Sequence, residues 1–222
     1  GTGALGNVSS TGVKNTALGY GSLNTNTTGS QNVAIGQGSL QYNSSGSFNV
    51  AVGALSLFTN TTGTLNVAIG HQSLGSNTTG YRNTAIGMQA LYNNTIGNNN
   101  TALGDGSLFT NTTGSQNTGI GWNALKYNTT ASYNTAIGFE AVLSNTTGNQ
   151  NTGVGYQALT ANTTGTDNNA FGFCSLCNNT TGSFNVAFGG NSMFSNTTGD
   201  ENIAFGYKPL YSNTTGSQNT AT

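Results

Sequence analysis

The chain of 222 residues carries four Lys or Arg, five Asp or Glu and one His, which gives a formal net charge of −1. So few cations exclude a nucleic-acid partner, because phosphate binding needs clustered Lys and Arg, and they exclude electrostatic attachment to an anionic membrane. Apolar runs are far shorter than the roughly 20 residues of a membrane helix, so no membrane insertion is expected in this stretch.

A repeat of 17 residues organises the sequence. Its anchor is Asn-Thr-Ala-Leu-Gly at residues 15–19, and the period then runs to the end of the chain without insertion or deletion. We expect residues 1–14 to be a partial, irregular first coil, residues 15–218 to be twelve full coils, and residues 219–222 to begin another coil of a longer fibre. The anchor Asn recurs at residues 32, 49, 66, 83, 100, 117, 134, 151, 168, 185, 202 and 219.

Each repeat, numbered 1 to 17 from the anchor Asn, contains two predicted strands and two predicted turns. Positions 2 to 4 are mostly β-branched or aromatic around a central Ala or Gly, and they predict a short strand that ends at the Gly of position 5. Positions 8 to 11, around a nearly constant Leu at position 9, predict a second short strand. The Asn-Thr-Thr-Gly tract at positions 12 to 15 predicts a turn, because Gly supplies positive φ and Asn and Thr bond their own backbone.

Stacking these coils predicts an all-β fold, a parallel β-solenoid or β-roll of 17-residue coils. One strand spacing of about 4.8 Å per coil would make twelve coils an elongated rod of roughly 60 Å. A helix fits poorly, because the repeat is rich in Gly, Asn and Thr and has no 3.6-residue apolar stripe. We expect the large residue at position 4 to point into the coil with the Leu of position 9, which would turn the small residue at position 3 outward.

The predicted core is thin, which favours more than one chain. Burying the large side chains contributes about 3–6 kcal/mol per coil, whereas ordering each of 17 residues costs roughly 1–2 kcal/mol. Small outward side chains at position 3 would let a neighbouring chain approach closely. We therefore expect a symmetric homo-oligomer, with a trimer as the favoured state. The alternative is that Ala at position 3 merely fits a tight turn.

The repeated tract N-[TV]-A-[IL]-G-x-x-[SA]-L, clearest at residues 83–87 and 134–138, resembles the head repeats of trimeric autotransporter adhesins. It is still more similar to the longer repeats in tail-fibre proteins of phages and bacteria. The resemblance covers essentially the whole chain. It implies a trimer of left-handed parallel β-rolls, extracellular at a cell surface or on a virion, that attaches to a cell-surface glycan or receptor. Adhesin heads repeat at a shorter period, so the extra Asn-Thr-Thr turn predicts a wider coil here.

Aromatic residues at variable positions are the candidate binding residues. Such residues, if exposed, would stack on sugars or become buried at a partner surface, although we slightly favour packing between subunits or fibres as their explanation. Position 6 carries Tyr20, Trp122, Phe139, Tyr156, Phe173 and Tyr207, and position 10 carries Phe58, Tyr92, Phe109, Phe194 and Tyr211.

Sequons of the form Asn-x-Thr or Asn-x-Ser occur in every full copy, nearly always at position 12, and they offer glycosylation sites if the host modifies asparagine. The turn prediction accounts for the same residues without modification, and we favour it. The candidate glycosylation sites are Asn26, Asn60, Asn77, Asn111 and Asn145.

Cys174 and Cys177 form a C-x-x-C motif at positions 7 and 10. A zinc site needs four ligands and the chain has two cysteines. A redox motif needs a helix start, which this repeat does not provide. A local disulfide and a pair of free or buried thiols are the two interpretations that remain.

Nothing in the sequence predicts catalysis, a metal or a cofactor. His71 is the sole histidine and has no Asp or Ser partner in repeat register. The acids do not recur in register either, so neither a calcium ladder nor a carboxylate pair for glycoside hydrolysis is indicated, and we expect no enzyme activity. The five acids are Asp105, Glu140, Asp167, Asp200 and Glu201.

The leading functional hypothesis is a structural extracellular fibre, adhesin-like or tail-fibre-like, that supports attachment to a cell or host surface. Uninterrupted periodicity with almost no charge motivates it. One alternative is an ice-binding β-solenoid with an Asn-x-Thr ladder at positions 12 to 14, although Asn and Gly flanking the Thr pair favour a turn over a flat strand. The other is a self-assembling, glycosylated surface filament.

Overall fold

The computed structural model describes Gly3 and residues 11–222, so most of the predicted first coil at residues 1–14 lies outside the described residues. The fold is all β, and the prediction of a parallel β-solenoid with 17-residue coils is confirmed. The chain divides into two compact units, Gly1–Thr113 and Gly114–Thr222. Each coil contributes one short strand at positions 2 to 4, so a β-strand recurs once per repeat.

The strands pair in parallel with a register offset of one repeat, so that identical positions lie above one another. Ala34 faces Ala51, for example, and Ile35 faces Val52. Strands of the first unit are β1 (Thr16–Leu18), β2 (Val33–Ile35), β3 (Val50–Val52), β4 (Val67–Ile69), β5 (Thr84–Ile86) and β6 (Thr101–Leu103). Strands of the second unit are β7 (Thr118–Ile120), β8 (Thr135–Ile137), β9 (Thr152–Val154), β10 (Asn169–Phe171), β11 (Val186–Phe188), β12 (Ile203–Phe205) and β13 (Thr220–Ala221).

The side chain that enters the coil from each strand is the Ala at position 3. Ala51 and Leu57 are fully buried, whereas Ile69, at position 4, is 38% exposed. The prediction that position 4 points inward and position 3 outward is therefore wrong. The interior beside the strand is tightly filled. At Gly153, also at position 3, even a methyl group would not fit, because a Cβ built there would lie 2.6 Å from Cγ2 of Val142.

The segment predicted as a second strand, positions 8 to 11, is instead a run of turns that spans positions 6 to 11. Leu57 and Leu74, at position 9, have φ values of 48° and 49°, in a left-handed region that costs most residues about 1–2 kcal/mol. Burial of the Leu side chain and backbone pairing offset this strain. The amide of Leu57 donates to the carbonyl of Ser73 in the next coil at 3.0 Å.

Two columns of buried Asn, at positions 1 and 12, tie consecutive coils together. In the first column, the backbone amide and the side-chain Nδ2 of Asn49 donate to Oδ1 of Asn32 at 3.0 and 3.2 Å, and Nδ2 also donates to the carbonyl of Gly63 at 2.9 Å. In the second, Nδ2 of Asn60 donates to Oδ1 of Asn43 at 2.8 Å. Across the described residues, every buried side-chain nitrogen and oxygen has a hydrogen-bond partner, as buried polar groups require.

Candidate binding surface

Positions 2 and 4 of each strand form an outward, mostly apolar surface, which we call the strand face. Residues two apart on a strand share a side of the sheet, so burying Ala at position 3 turns both flanking residues to the exterior. Ile137 is 39% exposed and Phe188 is 49% exposed. In the second unit, the ring of Phe188 stacks on Phe171 at 4.7 Å and on Phe205 at 5.9 Å between ring centres. An exposed apolar strip of this kind is a candidate interaction surface.

Four of the predicted position-6 aromatics form one stacked column in the second unit. Trp122, Phe139, Tyr156 and Phe173 follow one another at centroid distances of 4.9, 5.1 and 5.3 Å, with interplanar angles of at most 18°. Consecutive rings cover one another's faces and leave their edges to solvent. A sugar therefore has no free ring face along the middle of this column, and its rings serve chiefly to hold coils together.

The other two position-6 aromatics stand outside that column. Tyr20 lies in the first unit and is 67% exposed. Tyr207 is separated from Phe173 by Gly190, which occupies position 6 in the intervening coil, and Nζ of Lys208 lies 5.1 Å from the centre of the Tyr207 ring. The structure therefore does not bring the predicted aromatics together in a single site.

The position-10 aromatics of the first unit form a column that lacks one ring. Tyr92 stacks on Phe109 at 5.5 Å between ring centres, but the preceding coil has Gly75 where a ring would stand, and Phe58 occupies the coil before that. A cavity of about 290 Å³ opens at this point, with Phe58, Gly75 and Tyr92 among its walls. Gly75 was not predicted as a site residue, although its place in a column of aromatic residues was the available signal.

The candidate glycosylation sites are buried. Asn60 and Asn77 have no exposed surface, and Nδ2 of each donates to an Asn of the preceding coil and to a Gly carbonyl of its own turn. A glycan on Nδ2 would displace both acceptors, so the folded coil has no room for it. The same burial applies to the remaining predicted sites, Asn26, Asn111 and Asn145.

Burial of position 12 also removes half of the predicted Asn-x-Thr ladder. The Thr at position 13 donates its hydroxyl to a carbonyl of the next coil, as Thr61 does to Thr78 at 3.0 Å. Only the side chain at position 14, such as Thr62, points freely to solvent. The combined Asn and Thr surface that the ice-binding alternative needed is therefore absent from this turn.

Cys174 and Cys177 are joined by a disulfide, with their Cα atoms 4.8 Å apart. Both residues are buried. Of the two interpretations that the sequence allowed, the structure has the local disulfide, which closes the turn between positions 7 and 10 of one coil.

The titratable residues are scattered over the surface. His71 is exposed, and Glu140 accepts a hydrogen bond from Nε2 of Gln157 at 2.8 Å. Within residues 11–222 and Gly3, no three His, Cys, Asp or Glu side chains come together as metal ligands would. None of the described residues belongs to a helix that is long and apolar enough to cross a membrane.

Comparisons of the chain with protein-family models, with curated proteins and with solved structures find no match.

Proposed function

We propose that this chain is the shaft of an extracellular attachment fibre, in which three copies associate through their strand faces. The observation that carries the proposal is the apolar strand face, which repeats in every coil without interruption by a charged residue. The shaft would hold a binding region away from the cell or virion that carries it. That binding region would attach to a glycan or receptor on the target surface. The resemblance to adhesin heads and tail fibres supports the trimer and the extracellular location.

The surface that would join the chains under this proposal differs from the surface predicted from the sequence. A row of small residues does not face the neighbour; instead, the half-exposed large residues at position 4 become buried between chains. Completing their burial would contribute roughly 1 kcal/mol per coil and chain. Summed over about twelve coils, this exceeds what a stable complex of micromolar Kd requires, about 8 kcal/mol, before the cost of association is subtracted.

The test compares the molar mass of the intact chain with that of two variants in one coil. Ile137→Asp places a charge on the strand face at position 4, whereas Thr147→Asp places the same charge on the exposed position 14 of that coil. We expect sedimentation equilibrium to give a trimer for the wild type and for Thr147→Asp, and a weakened or dissociated complex for Ile137→Asp. A monomeric wild type, or compact particles rather than rods in electron micrographs, would contradict the shaft proposal.

Ice binding is a second candidate because the strand face is regular as well as apolar. Thr118, Thr135 and Thr152 occupy position 2 in three successive strands of the second unit, beside the apolar residues of position 4. This arrangement would present hydroxyl and methyl groups at one strand spacing. Ice binding requires the face to be free, so it predicts a monomer with thermal hysteresis, whereas the shaft predicts an oligomer without it.

A further inference from the structure

The interrupted aromatic column of the first unit contains a slot that two aromatic residues, Phe58 and Tyr92, line. Phe58 and Tyr92 both occupy position 10 and lie two coils apart, with Gly75 between them. The cavity of about 290 Å³ lies at this gap. We call it the Gly75 slot, defined by Phe58, Gly75, Tyr92 and the rim residues Gln72 and Ser76.

Both walls are supported from behind. The ring of Phe109 stacks on Tyr92 with an interplanar angle of 13°, and the ring of Tyr42 meets Phe58 edge-on at 4.9 Å between centres. The floor is fixed as well, because the Thr59 hydroxyl donates to the carbonyl of Gly75 at 3.0 Å. These contacts restrict the motion of both rings and of the floor, which lowers the ordering cost of binding.

The size of the slot fits one six-membered ring. Two coils are separated by about 9.6 Å, twice the strand spacing, so the layer of Gly75 has the height of one ring. The edge of the Tyr92 ring leans toward Gly75, with Cε2 2.8 Å from where a Cβ of Gly75 would lie, so a bound ring would turn Tyr92 back over Phe109. Stacked rings elsewhere in the chain have centroid distances of 4.9 to 5.5 Å at positions 6 and 10. The cavity volume is at the low end for ligand pockets, which suits a single ring with small substituents.

The rim of the slot is polar but uncharged. Gln72 and Ser76 line it, and Oε1 of Gln72 accepts a hydrogen bond from Nε2 of Gln89 at 3.0 Å, which leaves the Gln72 NH2 group as a donor. No Lys, Arg, Asp or Glu is among the lining residues, so an ionic ligand would gain no charged partner. A purely hydrocarbon ring would also leave the amide and the hydroxyl without partners, which is unfavourable.

We propose that the Gly75 slot binds a neutral pyranose. The C–H faces of the sugar would contact the rings of Phe58 and Tyr92, and its hydroxyls would bond Gln72 and Ser76 at the rim. The biological role rests on the proposed attachment function, since a sugar site on the side of a shaft would add contacts to a glycan-coated surface. The binding itself does not depend on the number of chains in the fibre.

Filling the slot with a ring of the protein's own provides the test. Gly75→Phe would complete the column, and the pair Phe194 and Tyr211 shows that Phe followed by Tyr stacks at position 10, at 5.2 Å. Gly75 does not need positive φ, although an added Cβ would lie 2.8 Å from Cε2 of Tyr92 and so require that ring to rotate. The matched control is Gly190→Phe, which fills the interruption at position 6 in the second unit and leaves the slot open.

The assay is saturation-transfer difference NMR on the full chain with methyl pyranosides of glucose, galactose, mannose and N-acetylglucosamine. Each is used at about 10 mM, because one-ring ligands bind with millimolar Kd. We expect saturation of at least one pyranoside by the wild type and by Gly190→Phe, and none by Gly75→Phe. Phe58→Leu should weaken that binding roughly three- to tenfold by removing one ring face, which keeps the test valid if Gly75→Phe does not fold.

Three results would overturn the proposal. They are no saturation of any pyranoside by the wild type, saturation that survives in folded Gly75→Phe, and binding of p-cresol without any pyranoside, which would assign the slot to an aromatic side chain of a partner. Electron microscopy of the same samples separates this outcome from the shaft proposal, because rods that bind no sugar contradict the slot alone.

Discussion

Removing one side-chain amide from the buried Asn column at position 12 should lower the unfolding free energy of the first unit by more than the loss of a single hydrogen bond would. In Asn60→Ala the chain loses the hydrogen bond from Nδ2 to Oδ1 of Asn43 at 2.8 Å, the bond from Nδ2 to the carbonyl of Gly63 at 3.0 Å, and the bond that Nδ2 of Asn77 donates to Oδ1 of Asn60 at 2.8 Å. All three bonds join buried groups. Two of them connect adjacent coils, and the bond to Gly63 lies within one coil.

The expected loss of unfolding free energy is about 4–6 kcal/mol. Three hydrogen bonds contribute about 1 kcal/mol each, and the buried Oδ1 of Asn43 loses its side-chain partner, which costs roughly a further 1–3 kcal/mol. The control is Thr62→Ala, two residues downstream on the exposed position 14, where we expect a change within about 0.5 kcal/mol. Asn60→Asp should be worse than Asn60→Ala at pH 7, because a carboxylate turns an oxygen toward two acceptors in a buried site.

Urea unfolding followed by far-UV circular dichroism measures these differences. The Asn60→Asp penalty should shrink at pH 3, since protonation removes the buried charge and restores a donor. A loss in Asn60→Ala within 1 kcal/mol of the loss in Thr62→Ala would refute the reasoning that the Asn columns hold the coils together.

Three further substitutions test other parts of the coil in the same unfolding assay. Gly87→Ala should prevent native stacking locally, because φ is 134° there and an added Cβ would lie 2.7 Å from the carbonyl carbon and oxygen of Gly104. An unchanged urea midpoint would contradict this. Leu108→Ala should cost about 2–5 kcal/mol through the cavity left by a fully buried side chain. Gln157→Glu should cost about 1–3 kcal/mol at pH 7, because it replaces a hydrogen bond to Glu140 with like-charge repulsion. The cost should vanish at pH 3, where the carboxylates are neutral and no longer repel each other.

The period and the strand could be predicted because each depends on the residue type at single positions of the repeat. Constant Asn, Gly and β-branched positions define one coil, and each strand begins and ends where the composition changes. The second strand was predicted wrongly because Leu57 and its equivalents are β-compatible residues in left-handed turns. Burial of the Leu side chain and pairing with the next coil override the local preference, and neither is visible in one repeat.

The direction of position 4 was predicted wrongly for a related reason. Large apolar residues usually face the interior, but in this coil the Leu of position 9 already fills the space, so the strand contributes only Ala. A Cβ added to Gly153 would lie 2.6 Å from Cγ2 of Val142, which shows how little space the position-9 side chain leaves beside the strand. The Gly75 slot also needed three-dimensional information, because it results from residues 17 and 34 positions apart that meet only when the coils are stacked.

Near absence of charge follows from the same stacking. In a solenoid with identical register, like charges in one column of adjacent coils would stand about 4.8 Å apart, at a cost of about 1 kcal/mol per pair in water and several times more at an effective dielectric constant of 20. The chain pairs its acids with neutral neighbours instead: Gln157 donates to Glu140 at 2.8 Å, and Gln218 donates to Glu201 at 3.1 Å. Neutral amides and aromatic rings can repeat without such repulsion, and each pair of equivalent groups gains a hydrogen bond or a stacking contact. The low charge of the chain therefore fits the stacked register, and much of the variation at positions 6 and 10 lies in which neutral ring or amide occupies the column, and where a glycine leaves one out.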